Sequence, residues 1–132
     1  MRRSIVLVAL LGSVACMDPE MPAPVVGEWG GEHLGLVASL QGAELEFDCA
    51  SGRTTGAITP DAAGRFSVDG FHFPGHGGPI RQDEERMELA ARFEGTVQGN
   101  RMTISITLPA WAVTLGPYLL VRGASPNVFK CL

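Results

Sequence analysis

Residues 93–108 constrain this chain more than any other stretch. Phe93, Gly95 and Val97 alternate with Glu94, Thr96 and Gln98, then comes Gly99-Asn100, and then Met102, Ile104, Ile106 and Leu108 alternate with Arg101, Thr103, Ser105 and Thr107. Successive side chains of a strand point to opposite faces, so each run offers one apolar and one polar face. A two-residue loop of Gly and Asn accepts the positive φ angles of a tight hairpin turn. The segment is therefore a β-hairpin with one wet face, and its dry face needs further strands to cover it.

The rest of the chain supplies them. Ala43, Leu45, Phe47 and Cys49 alternate with Glu44, Glu46 and Asp48, which predicts a half-buried strand that turns Cys49 inward. Residues 64–73 put Phe66 and Val68 on one face and Phe71 and Phe73 on the other, a phase change across Asp69-Gly70 of the kind a bulge makes. Val113, Leu115, Leu119 and Val121 continue a strand through Gly116-Pro117, where proline implies an edge or a bulge. Residues 29–40 read as one long or bent strand, and residues 53–58 as a short one. The best helix candidate is Arg81 to Phe93, enough for a turn or two. About seven to eight short strands with glycine-rich turns predict an all-β fold, a small antiparallel up-and-down barrel, with a β-sandwich as the alternative. The expected inward set is Leu45, Phe47, Phe66, Val68, Phe93, Val97, Met102, Ile104, Ile106, Leu108, Leu119 and Val121. Small barrels are just wide enough for side chains to fill, so a filled core is preferred over a ligand cavity.

The barrel domain is residues 27–132. Ahead of it, Met1-Arg2-Arg3 is basic, Ile5 to Leu11 is a continuous apolar run, and Ser13-Val14-Ala15 offers small residues for cleavage after Ala15. That is the pattern of a signal peptide, residues 1–15, too short to span a bilayer as a helix. Cys16 follows at once. The arrangement resembles the bacterial lipobox, with Val14 and Ala15 in place and Ser13 standing where Leu is commonest. The resemblance implies that Cys16 carries diacylglycerol and usually an acyl chain such as palmitate, and that Met17, which is not Asp, sends the lipoprotein on to the outer membrane, facing the periplasm. A secreted soluble protein is the alternative. Residues 16–26 hold three prolines, Pro19, Pro22 and Pro24, and read as an extended tether.

Three cysteines is an odd number for an exported chain. With Cys16 lipidated, Cys49 and Cys131 remain, and in an oxidising compartment they are expected to form a disulfide. Closing so long a loop is worth roughly 4–5 kcal/mol in the chain-entropy model. The bridge would also hold a C-terminus that otherwise frays.

Gly27-Glu28-Trp29 stands at the domain's start and Arg122 near the end of its last strand. Lipocalins have Gly-x-Trp in their first strand and an arginine from the last strand over that tryptophan. The chain is similar to them at Gly27, Trp29 and Arg122, which implies a lipocalin-like barrel closed by a Trp29–Arg122 pair. Gly-x-Trp also occurs in avidin-like barrels, but their biotin-site tryptophans have no counterparts beside Trp29 and Trp111. As a whole the chain resembles small lipoproteins of GC-rich bacteria, a likeness that carries no activity.

Net charge is −4, and becomes −6 once Arg2 and Arg3 leave with the signal peptide. Nucleic-acid binding needs clustered cations and is excluded as a partner class. No GxSxG and no phosphate-cradling loop occurs, and the carboxylates fall on strand faces or in the charged run Asp83-Glu84-Glu85-Arg86. An enzyme is not expected, nor a cofactor. Glu32, His33, His72 and His76 are the candidate metal ligands, but a strand does not bring positions i and i+4 together, and no metal site is expected. The long loop 74–88, with His76, Arg81, Asp83, Glu84 and Glu85, is the candidate interaction surface. The reading is a lipid-anchored envelope barrel that binds a small apolar ligand or an envelope protein. The alternatives are a periplasmic inhibitor of an exported hydrolase, using loop 74–88 or the tether, and a structural lipoprotein without ligand.

Overall fold

A computed structural model describes Gly12 and residues 22–132. The signal peptide and lipidation site expected at residues 1–16 lie outside the described residues, Gly12 apart. Eight strands run β1 (Gly27–Gly31), β2 (Leu34–Ala38), β3 (Ala43–Phe47), β4 (Ala50–Thr54), β5 (Arg65–Pro74), β6 (Leu89–Gln98), β7 (Arg101–Leu108) and β8 (Val113–Arg122). Each pairs antiparallel with its sequence neighbours, and β8 returns to β1, so the sheet closes as an up-and-down barrel. Closure leaves the sheet without the two free edges of an open one.

The hairpin of residues 93–108 is present as β6 and β7, in register from Arg92↔Thr107 to Gln98↔Arg101, with Gly99 at φ 59° in the turn. Residues 29–40 are two strands rather than one. The chain turns at Glu32-His33, with His33 at φ 69°, and Trp29 pairs with Leu36 across the new hairpin. The helix expected from Arg81 is absent. Residues 81–88 are loop and Leu89 begins β6, because Ala91 and Phe93 alternate inward, Ala91 pairing with Gly70 of β5 and Phe93 with Val68 of β5 and Ile106 of β7.

The bulge expected in β5 is also absent. β5 pairs without a shift on both flanks. Phe66, Gly70 and His72 are buried on its inner face, and Phe71 and Phe73 lie on the outer one. Arginines cover those rings: Arg53 sits 5.4 Å from the Phe71 centroid, and Arg86 4.1 Å from that of Phe73. The irregularity lies in β8 instead, where Ile104 faces Tyr118 and Ile106 faces Leu115. The extra residue at Gly116-Pro117 flips the phase. Leu120 is therefore fully buried and Leu119 is 55% exposed, reversing the orientation expected for Leu119 and Val121.

Side chains occupy the interior. Trp29, Leu34, Leu36, Phe93, Met102, Ile104, Ile106, Leu108 and Leu120 are each at most 2% exposed. The outer face carries Glu44, Glu46, Arg53, Asp69, Arg92 and Glu94, all exposed. That is the inverse of a membrane-spanning barrel, whose outward band is apolar.

In an up-and-down barrel alternate turns lie at opposite ends. The end where β1 begins is sealed. Val25 and Ile58 are buried there and joined by a Val25 N–H to Ile58 carbonyl bond of 2.7 Å. Trp29 lies inside with its indole N–H directed at the Val26 carbonyl, 3.4 Å away. Arg122, its cross-strand partner, lays its guanidinium 4.8 Å from the Trp29 ring. Thr54 is buried there too, but satisfied, accepting from the Ala43 N–H and donating to the Gly56 carbonyl.

After β8 the chain does not stop at this end. It climbs the outside of the β1–β2 hairpin as a strap. Gly30 and Gly35 are cross-strand partners there. A methyl on Gly30 would meet the Ala124 carbonyl oxygen at 2.2 Å, and one on Gly35 would meet Pro126 at 2.9 Å. The absence of side chains at this pair is what lets the strap lie flat. Asn127 then bridges to Glu32, donating from its amide to the carboxylate at 2.8 Å.

Candidate functional site

The other end is built from the turn at Glu32-His33, the turn at Asp48-Cys49, the long loop 75–88, the 3-10 turn Pro109–Trp111 and the end of the strap. Cys49 is not an inward strand residue. It sits in the β3–β4 turn at φ 51°, half-buried, and is disulfide-bonded to Cys131 with Cα atoms 4.7 Å apart and 82 residues of separation. Asp48, expected on a solvated strand face, is instead a clamp on the strap. Its carboxylate accepts from the Phe129 N–H at 2.8 Å and from His33 at 2.5 Å, and the Cys49 N–H donates to the Phe129 carbonyl at 3.0 Å. The Phe129 N–H above all, and His33 after it, holds the Asp48 carboxyl below the usual aspartate value.

Loop 75–88 folds over this end as a flap. The Gly75 N–H donates to the Cys49 carbonyl and the Gly78 N–H to the Leu132 carbonyl. Within the flap the His76 ring joins the Gly77 carbonyl through Nδ1 and the Glu84 carboxylate through Nε2. The Gly77 carbonyl, then Glu84, raises the His76 pKa above the usual histidine value. The Arg81 N–H donates to Glu84 at 3.3 Å. Arg86 anchors the flap's far side, donating to Ser51 Oγ at 2.7 Å while it stacks on Phe73.

Between flap, strap and the 3-10 turn lies an open cleft of about 900 Å³. Its walls are mostly apolar: Phe47 and Ala50 below, Ile80 and Met87 from the flap, Trp111 from the 3-10 turn and Phe129 from the strap. The Cys49–Cys131 bridge lines it as well. Ile80 is 79% exposed, Phe129 62%, Met87 54% and Trp111 49%. That much large apolar surface gathered at one end of a barrel with charged residues on its outer face makes this end the candidate binding surface.

Of the candidate loop residues, His76, Glu84 and Glu85 line the cleft, while Arg81 and Asp83 are exposed outside its lining. The candidate metal ligands are spread apart. His33 is paired with Asp48, Glu32 with Asn127 and His76 with Glu84. Among the described residues no group of three or more His, Cys, Asp or Glu side chains is placed to hold a metal ion.

His72 stands inside the barrel, 4% exposed, with its ring edge-on to Phe47 at 5.0 Å. Its Nδ1 is buried without a hydrogen-bond partner. Burial pushes its pKa below the usual value and keeps the ring neutral. The Tyr118 ring also packs edge-on to Phe47 at 5.9 Å, and burial, then the Asp48 charge, raises its pKa. Sequence reasoning missed Trp111, Phe129, Ile80 and Met87. Their one sequence signal is that they are large apolar residues standing outside every alternating run.

No family model matches the chain, and neither does any curated protein or any solved structure.

Proposed function

We propose that this chain is an exported, lipid-anchored binding module that takes a small apolar molecule in the end cleft rather than in a barrel calyx. The observation that carries the reading is the pairing of an interior occupied by its own side chains with an open, apolar-walled cleft of about 900 Å³ at one end. That volume lies within the range of small-molecule sites, roughly 300–1,000 Å³. The disulfide is consistent with export, and a lipid on Cys16 gives the anchor. Residues 22–26 enter at the sealed end, so such an anchor would hold the cleft at the end away from its own bilayer, open to the periplasm. The module binds rather than catalyses, and needs neither metal nor nucleic acid.

Trp111 reports on occupancy, because the other tryptophan, Trp29, is buried at the sealed end. Titration with the neutral dye N-phenyl-1-naphthylamine is expected to change Trp111 emission saturably, and Trp111→Phe to abolish the change. Emission that stays flat through the titration would refute the reading. For the anchor, radiolabelled palmitate is expected to label the wild type and not Cys16→Ser; label on the variant refutes it. A second reading, inhibition of an exported hydrolase by insertion of the flap, is favoured by the outward projection of Ile80, 79% exposed. Deleting residues 75–86 would remove inhibition in that case.

A further inference from the structure

We propose that the Cys49–Cys131 bridge is a redox latch on the cleft: a dithiol reductant opens it, the strap's end leaves, and the cleft comes apart while the barrel stays closed. The strap's end has little else to hold it. From Asn127 to Leu132 every residue is exposed except Val128, which is half-buried. Its remaining ties are hydrogen bonds at an exposed surface, through Phe129, Asn127 and Leu132, and a tilted contact of the Phe129 ring with His33 at 6.2 Å. A segment with so little apolar burial opens readily unless it is tied down, and here the tie is covalent.

The barrel does not share this dependence. The β1–β8 seam closes at Trp29↔Arg122 and Gly30↔Val121, upstream of the strap. None of the fully buried core residues lies beyond Leu120. The cleft does share it. Phe129 and the bridge itself form one wall, and the Leu132 carbonyl holds the flap at Gly78. Release of the strap therefore removes a wall and unties the flap together.

Access fits the chemistry. Cys131 is exposed, Cys49 is half-buried, and both face the cleft. Exposed disulfides are the labile ones, open to a thiolate. One thiolate of the dithiol attacks a bridge sulfur, forms a mixed disulfide and expels the other sulfur as a thiolate. The reductant's second thiolate then attacks its own first sulfur in that mixed disulfide and displaces the remaining protein cysteine as a thiolate. Two electrons and two protons pass to the protein, which holds two thiols, and the reductant leaves as its own disulfide. A molecule in the cleft covers the bridge, so occupancy and reduction oppose each other, and linkage makes the effect reciprocal. That last half rests on the binding reading above; the latch does not.

Amide hydrogen exchange on the intact chain tests it, before and after dithiothreitol and in a Cys49→Ser/Cys131→Ser double variant. Exchange at the amides of Gly78, Cys49 and Phe129 is expected to rise about tenfold or more, with the β6 and β7 amides unchanged. Strap and flap amides that keep their protection after reduction overturn the latch. So does matching loss of protection in β6 and β7, which would make the bridge a staple of the whole fold. Neutral-dye binding separates the two proposals. Dye that binds both redox forms alike defeats the latch and leaves the binding reading standing. No dye binding to the oxidised form, with responsive amides, does the reverse.

Discussion

The two ends of this barrel solve opposite problems with the same kinds of residue. Each has a tryptophan and an arginine stacked on an aromatic ring. At the sealed end Trp29 is 1% exposed, and Arg122 lies over it as a lid. At the open end Trp111 is 49% exposed, and Arg86 has turned aside to Phe73 on the outer face, pinning the flap rather than covering the mouth. The sealed end also satisfies its buried polar group, Thr54, whereas His72 near the open end keeps a buried nitrogen without a partner. Stability is thus concentrated at one end. The other leaves large apolar surface open to solvent, the surface that the proposed ligand would cover.

Substitution of the two tryptophans tests this most severely. Trp29→Ala is expected to destabilise by about 3–5 kcal/mol, as other large-to-small core changes do. Trp111→Ala should stay within about 0.5 kcal/mol while losing dye binding. Urea denaturation of both checks it, and equal losses would erase the distinction between the ends. Next is Gly30→Ala, whose new methyl would collide with the strap at Ala124 and Pro126. Overpacking of this kind costs about 1–3 kcal/mol, and here it should also weaken cleft binding at the far end, read by calorimetric unfolding and dye titration on one sample. Arg122→Gln removes an exposed cation–π contact and should cost about 0.5–1 kcal/mol, with no change at the cleft.

The smallest effects are those of pH, and they separate two histidines. His72 has a lowered pKa in the fold, so the unfolded chain binds more protons, and its contribution is lost as pH falls below the ordinary histidine value towards the folded one. His76 has a raised pKa, so its contribution is complete below the ordinary value and is lost as pH rises through the folded one. Flap protection, followed by hydrogen exchange at residues 75–88, should therefore weaken on the alkaline side. His76→Gln should flatten that dependence and leave the acid side as it was. An alkaline loss that survives the substitution would detach the flap from the His76–Glu84 pair.

The sequence shows the barrel wherever local pattern and tertiary pairing agree. Residues 93–108 alternate cleanly within β6 and β7, and Cys49 and Cys131 join as expected. It misleads where a single residue resets the phase. His33, between Glu32 and Leu34, turns the chain in the left-handed region where no glycine stands, so β1 and β2 read as one strand. The bulge at Gly116-Pro117 shifts β8 by one residue and exchanges Leu119 for Leu120 in the core. The cleft leaves no periodic trace, because its walls come from a flap, a 3-10 turn and a strap. None of these repeats, and only the closed barrel brings them to one place.

The β1–β8 seam has a kinetic consequence. Seven of the eight ladders join sequence neighbours, so each closes over a stretch far shorter than the whole barrel, the longest being loop 75–88. The eighth joins the first strand to the last through two residue pairs. Long-range closure carries its entropy cost before any contact repays it. The meander can therefore assemble hairpin by hairpin, and the seam is the step that waits. By the same token it is the first to open, so amides of Gly30 and Val121 are expected to exchange ahead of those in β6 and β7. The molecule's slow coordinate is the meeting of its two ends in sequence, not the formation of any one hairpin.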